Sequence, residues 1–274
     1  MMTQKEKGSA LRALHSADKQ FVVANAWDAG SACLLAAAGF DAIATTSAGF
    51  AFSIGKQDND VGRDAILKNA SDISAAVDLP VTGDLENGFG DDPETAAETI
   101  RHGAEAGLVG GSIEDSTYDA NKPLYELEHS VDRVRAAVDA ARALPFDFVL
   151  TARAENYLVG QPELKDVIRR LQAYQEAGAD CLYAPGLKEE AEIREVIASV
   201  DRPVNVIVGL AGGANIDMEL LADIGVRRIS VGSAFARQAY GQLLNSAKAI
   251  IETGSFDVLK GAMSNAELNG MFGN

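Results

Sequence analysis

Three short stretches of this sequence gather acids, small polar residues and a single arginine. They read Thr82-Gly83-Asp84-Leu85-Glu86-Asn87, Ser112-Ile113-Glu114-Asp115 and Thr151-Ala152-Arg153-Ala154-Glu155, and each closes a β-rich run. Alternate residues of a strand share a face, so Asp84 is paired with Glu86, Ser112 with Glu114, and Arg153 with Glu155. One acid at a strand end is ordinarily just solvated. Acids from three adjacent strands facing one another repel and raise each other's pKa, and a bound cation removes that cost. The donors are all oxygen, because His15, His102 and His129 fall on predicted helices or their entries. Oxygen ligands select Mg²⁺ or Mn²⁺ over zinc, with Asp84, Glu86 and Glu114 as the candidate metal residues. Arg153 is the one basic residue in these clusters. Its planar fork suits a carboxylate or phosphonate; a salt bridge to Glu114 or Glu155 is the structural alternative, and the two roles are compatible.

Weaker signals lie nearby. In Thr45-Thr46-Ser47-Ala48-Gly49-Phe50 the small residues let backbone N–H groups approach an anion, and Gly55-Lys56-Gln57-Asp58 follows. Ser47, Ala48 and Gly49 are therefore substrate-side candidates, and Asn205, on a later predicted strand, joins them. The polar stretch Thr117–Tyr125 contains Pro123 and lacks helical periodicity, which suits either a lid or a plain surface loop.

The elements that must position these residues follow a repeated pattern. Helical stretches end in Ala-Gly or a close variant, at Gly39, Gly107, Gly178 and Gly225, and a short β-rich run comes next. Glycine suits the left-handed residue that closes a helix. The expected strands are Phe21–Trp27, Ala42–Thr46, Pro80–Glu86, Leu108–Asp115, Phe148–Glu155, Cys181–Pro185, Pro203–Val208 and Arg228–Ser233. Helices such as Pro93–Ala106, Leu164–Ala177 and Asn215–Ile224 lie between them. Eight alternating units favour an α/β fold closed as a (β/α)₈ TIM barrel over an open sheet. The turn Asn25-Ala26-Trp27-Asp28-Ala29-Gly30 also lacks a dinucleotide fingerprint. Residues 1–274 read as one barrel domain. Ala10–Ser16 is expected as a leading helix capping the barrel bottom. Ser255–Phe272 is expected as a C-terminal helical extension, packed on its own barrel or reaching a neighbouring subunit.

Composition narrows the function classes. The chain has 274 residues, 47% of them hydrophobic, enough for a large core, and a formal net charge of −16. Such a charge repels phosphate backbones and anionic membranes, so neither nucleic acid nor membrane is expected as a partner. It also requires a local positive charge or a metal if the substrate is itself an acid. Cys33 and Cys181 read as buried small hydrophobes rather than a disulfide framework. No signal-like or bilayer-length apolar run is present, and a cytoplasmic location is expected.

From about Phe21 to Gly241 the sequence resembles the isocitrate lyase / phosphoenolpyruvate mutase superfamily. Asp84-Leu85-Glu86-Asn87-Gly88-Phe89-Gly90 resembles its metal motif, Ile113-Glu114-Asp115 its I-E-D motif, and Thr151-Ala152-Arg153 the segment carrying its substrate arginine. Ser47-Ala48-Gly49 is similar to its substrate cradle and Asp58 to the acid that follows. The resemblance implies a barrel assembled as a homodimer or homotetramer, with exchanged C-terminal helices. It implies Mg²⁺ (or Mn²⁺) at Asp84, Glu86 and Glu114, catalytic roles for Asp58, Arg153 and Glu114, and a small 2-oxo or 2-hydroxy acid as substrate. The implied reaction is carbon–carbon cleavage through an enolate, with carbon–phosphorus chemistry or a non-catalytic 2-oxo acid binding barrel as alternatives. The loop Ser116–Tyr125 carries neither the Cys nor the His of the isocitrate lyases.

Overall fold

The computed structural model describes residues 1–210 and 216–272. Eight parallel strands close into a barrel in sequential order: β1 (Phe21–Ala26), β2 (Ala42–Thr45), β3 (Val81–Asp84), β4 (Gly110–Glu114), β5 (Val149–Arg153), β6 (Cys181–Tyr183), β7 (Val204–Ile207) and β8 (Arg228–Ser230). β8 pairs with β1 through Phe21 and Arg228, which completes the closure. All eight fall within the runs expected from sequence, trimmed by one to three residues at their ends. The helices are α1 (Gln4–Ser16), α2 (Ala29–Ala37), α3 (Ser47–Ser53), α4 (Arg63–Ala76), α5 (Pro93–Glu105), α6 (Leu127–Arg142), α7 (Leu164–Glu176), α8 (Glu190–Ala198), α9 (Met218–Ile224), α10 (Ala234–Thr253) and α11 (Asn265–Phe272). The first residue of the expected helix Asn215–Ile224 lies outside the described residues. Gly39, Gly107, Gly178 and Gly225 all take the positive φ that the Ala-Gly pattern predicts.

The pleat sorts the strand residues into two sets. Outward-facing Ile43, Val81, Ile113, Leu150, Leu182, Val206 and Ile229 join the main core beneath the helices. Inward-facing positions towards the C-terminal ends of the strands, such as Asn25, Thr45, Ser112 and Thr151, line a central cavity, whereas those towards the N-terminal ends are apolar. The bottom of the barrel is closed by α1, which is longer than the expected Ala10–Ser16. Leu11 packs there with Phe21, Val23, Ala42 and Val149. Two glycines make this approach possible. A Cβ on Gly8 would lie 2.3 Å from the Asp147 carbonyl oxygen, and one on Gly110 would lie 2.9 Å from Leu11 Cδ2. Arg12 ties the helix down through Asp147 at 2.8 Å and Asp180 at 3.1 Å.

The extension behaves differently. Ser255–Phe272 folds as a 3₁₀ turn, Asp257–Gly261, followed by α11. With α10 it exposes Leu243, Leu244, Ile251, Phe256, Leu259 and Met263. No helix among the described residues is long and apolar enough to cross a membrane.

Candidate active site

The strand ends of β3, β4 and β5 converge at the mouth of a cavity of about 600 Å³. Its centre is Arg153, the last residue of β5, whose side chain is 14% exposed. The guanidinium makes three ion pairs: Nη1 to Asp84 Oδ1 at 2.9 Å, Nη2 to Glu114 Oε2 at 2.9 Å, and Nε to Glu155 Oε1 at 2.8 Å. The Tyr183 ring lies 5.2 Å from its centre. Burial alone would lower the Arg153 pKa, but Glu114, Glu155 and Asp84 overcome this and hold it well above the usual value. The salt-bridge role foreseen for Arg153 is therefore present, with a third acid added.

Asp84 is fixed from the other side by Ser47. The Ser47 hydroxyl and backbone N–H both donate to Asp84 Oδ2, at 2.8 and 3.1 Å, and the Asp84 N–H donates to Thr45 Oγ1. Glu86 reaches the cavity by a route the alternation argument does not describe. It lies two residues past the end of β3 and adopts φ 51°, with Gly88 at 83° and Phe89 at 63°. This left-handed stretch is held from below by Arg133. Its guanidinium donates to the carbonyls of Gly90 and Asp91 at 2.6 Å each, and to that of Asn87. Arg133 is 1% exposed and stacks on the Tyr125 ring. A long-range helix side chain shapes this loop, and no local sequence signal marks it.

Glu86, unlike Asp84, Glu114 and Glu155, makes no ion pair among the described residues. It is 3% exposed, and Oε1 has no hydrogen-bond partner among the described residues. Burial first, then the charges of Asp84, Glu114 and Asp58, push its pKa up to about 8. Asp84, Glu114 and Glu155 thus pair with one guanidinium, while Glu86 feels that charge without an ion pair to it. Hard oxygen donors in this excess fit Mg²⁺ or Mn²⁺, which take one or two carboxylates and keep several waters. Among the described residues no three acidic, histidine or cysteine side chains converge closely enough to ligate a metal directly.

The remaining expected residues divide. Ala48 and Asn205 line the cavity, and the Asn205 amide donates to Ser230 Oγ at 2.9 Å. Gly49 is not among the residues lining the cavity; its N–H donates to Thr46 Oγ1, and a Cβ there would lie 2.6 Å from Thr46 Cγ2. Asp58 sits at the mouth, its pKa raised by the desolvating protein around it and then by Asp84. Asp115 faces away from the cavity. It accepts from Arg170 at 3.0 Å and Tyr174 at 2.5 Å, and supports the Glu155 backbone N–H.

The loop after β4 folds over the site. Ser116 and Leu124 bridge its base, and the Tyr118 hydroxyl donates to Glu114 Oε1 at 2.8 Å. With neither Cys nor His between Ser116 and Tyr125, the chemistry of this loop is carried by a tyrosine whose role depends on the fold. Tyr118 takes φ 60° to reach inward. Tyr183, Thr151, Arg228 and Ser230 also line the cavity and were not singled out.

Comparisons with known proteins agree with this geometry. The model of the phosphoenolpyruvate phosphomutase family matches residues 11–251. The 2-methylisocitrate lyase of Escherichia coli K12 is 33% identical over 211 residues, 74% of this chain and 70% of that protein. A solved structure of a candidate lyase/mutase from Burkholderia cenocepacia J2315 is 53% identical, covers 99% of this chain and 98% of its own, and superposes with a TM-score of 0.97. A phosphonopyruvate hydrolase solved with oxalate and Mg²⁺ is 25% identical, covers 99% and 95%, and gives 0.85. With its closed barrel, its acid-ringed arginine and these relatives, the chain belongs to the phosphoenolpyruvate mutase / isocitrate lyase superfamily and is a carbon–carbon lyase within it.

Proposed function

We propose that the protein is a Mg²⁺- or Mn²⁺-dependent lyase that cleaves a carbon–carbon bond in a small 2-oxo or 2-hydroxy carboxylic acid, releasing a 2-oxo acid through its enolate. The observation that carries this reading is the excess of buried acid around Arg153, with Glu86 left uncompensated. Asp84, Glu86 and Glu114 would hold the cation. When bound, it supplies Lewis-acid charge opposite the oxygen on which negative charge develops.

The chain's own residues do the rest. Arg153 uses three of its five N–H donors on acids, which leaves two for a substrate carboxylate. Ser47 orients Asp84, and Ala48 borders the same space. Tyr118, bonded to Glu114, roofs the cavity and keeps water from the carbanionic product. Asp58 stands where substrate enters and assists proton movement there. The exposed apolar side chains of α10 and the Ser255–Phe272 extension support assembly as a homodimer or homotetramer, which light scattering would measure.

The test is turnover of oxaloacetate, methylisocitrate and phosphonopyruvate by purified protein, with Mg²⁺ and with a chelator. Release of a 2-oxo acid from one of the first two, abolished by the chelator, is expected. The phosphonopyruvate hydrolase neighbour motivates the third substrate, and turnover of that compound alone would replace carbon–carbon with carbon–phosphorus chemistry.

A further inference from the structure

Arg153 is held by three acids, and two of them, Asp84 and Glu114, are also acids proposed to hold the cation. Glu155 is the third, 2.8 Å from Nε, and is not shared with that site. How Glu155 is itself held therefore decides how Arg153 is aimed once a cation competes for the other two.

The support for Glu155 comes from outside the barrel, on α7. Asp166, Arg170 and Tyr174 are spaced by four residues, so they share one face of that helix. Arg170 is buried and bonds two acids at once. Nη1 donates to Asp115 Oδ2 at 3.0 Å, and Nε donates to Asp166 Oδ2 at 2.8 Å. Each of these acids holds the chain at Glu155. Asp115 Oδ1 accepts the Glu155 backbone N–H at 2.8 Å. Asp166 Oδ2 accepts the side-chain amide of Asn156, the next residue, at 2.9 Å. The buried Tyr174 hydroxyl donates a further bond to Asp115 Oδ2 at 2.5 Å. Arg170 Nη1 also donates to the Tyr125 carbonyl at 3.1 Å, where the loop that roofs the cavity ends.

A buried ion pair contributes little net stability, because desolvation offsets most of its Coulomb energy. Apolar residues at 115 and 170 would join α7 to the barrel equally well. They would not fix the chain on both sides of Glu155 with directional, charge-assisted bonds. None of Asp166, Arg170 and Tyr174 is among the residues lining the cavity, so any effect they have on binding passes through other residues.

We propose that Arg170, with Tyr174, is a positioning residue for Arg153. It acts through Asp115 and Asp166 on Glu155, and Glu155 aims the guanidinium at the substrate carboxylate. This rests on the reading of the cavity as a metal-assisted 2-oxo acid site.

Two readouts separate the positioning claim from that reading. The first needs no ligand. Hydrogen exchange of the Arg153 Nε–H, followed by ¹⁵N NMR on the full chain and assigned by its loss in Arg153→Lys, reads the bond to Glu155 directly. Arg170→Lys keeps the charge but loses the fork that reaches both acids, and Tyr174→Phe removes one donor. Each should speed this exchange about fivefold or more, the scale of one hydrogen bond, with and without Mg²⁺. The second readout is calorimetric affinity for pyruvate, the simplest 2-oxo acid, at saturating Mg²⁺. It should weaken by a similar factor, while Mn²⁺ affinity, read from the paramagnetic resonance of the free ion, stays within about twofold. A merely structural role predicts exchange that rises no more at Arg153 than at the backbone amides of β1, or equal losses for pyruvate and Mn²⁺. Either result overturns the proposal. A wild type that binds no pyruvate overturns the 2-oxo acid reading, and the exchange measurement still decides whether α7 positions Arg153. Should Arg170→Lys fail to fold, Tyr174→Phe carries both measurements, and unchanged exchange in that variant overturns the proposal.

Discussion

The two sides of the barrel mouth solve opposite electrostatic problems. The rim built by β3, β4 and β5 has too many acids for its one arginine, so Arg153 is fully paired and Glu86 is left over. The wall built by β6, β7 and β8 holds Tyr183, Asn205, Ser230 and Arg228, and there the arginine is left over. One region lacks a cation and the other lacks an anion. A cation at the acid-rich rim would offset its excess charge, as the proposed function requires in a chain of net charge −16.

The strongest way to break this comparison is at the rim. Asp84→Ala removes the acid that both Ser47 and Arg153 position, and kcat/KM should fall on the order of 10³-fold, with metal content falling in parallel. An active, metal-loaded variant would remove the metal assignment altogether. Arg133 tests whether the rim depends on its remote clamp. Arg133→Met leaves three backbone carbonyls without their donor, and denaturant unfolding should register a loss of about 2–4 kcal/mol. Mg²⁺ affinity should weaken beyond that of a control destabilised equally elsewhere in the barrel.

Smaller effects sharpen the picture. Tyr118→Phe deletes one hydrogen bond to Glu114 and should cost up to about tenfold in turnover, equivalent to about 0.5–1.5 kcal/mol, with little change in melting temperature. The smallest effect is in pH dependence. With a folded-state pKa of about 8 against an ordinary 4.5, Glu86 holds a proton in the folded protein that the unfolded chain has lost. Its contribution is therefore present below about pH 4.5 and is lost as pH rises towards 8. The metal-free protein should melt lower at pH 8.5 than at pH 6. Mg²⁺ binding demands the deprotonated acid, so its thermal stabilisation should grow over the same interval. Glu155, also pushed up to about 8, acts with the same sign over this interval, so Glu86→Gln should reduce both trends, and trends unchanged by that substitution would assign them to Glu155.

Much of the fold was legible because its signals are local. Ala-Gly helix ends, short apolar runs and their alternation depend on residues within a few positions of one another, and eight such units leave few architectures open. The chemistry at the ends of β3, β4 and β5 was legible for the same reason. The failures share a cause too. Glu86 was placed by strand alternation, yet it lies beyond the strand in a left-handed turn. Gly49 also packs closely against Thr46 and Trp27, a contact that no local signal marks. Tyr118 was passed over because its importance depends on a turn that points it back at Glu114.

The sequence by itself determined the barrel, the order of its strands and the candidate acids, since periodicity and residue type decide which face of a strand is polar. Only the tertiary structure decided how those charges balance. Arg133 is on a helix 42 to 46 residues away from the carbonyls it holds, and Arg228 is 77 residues from Thr151. Whether a buried charge is paired depends on what chain closure brings beside it. That closure leaves Arg153 with three carboxylate partners and Arg228 with the neutral Thr151 and no carboxylate among the described residues.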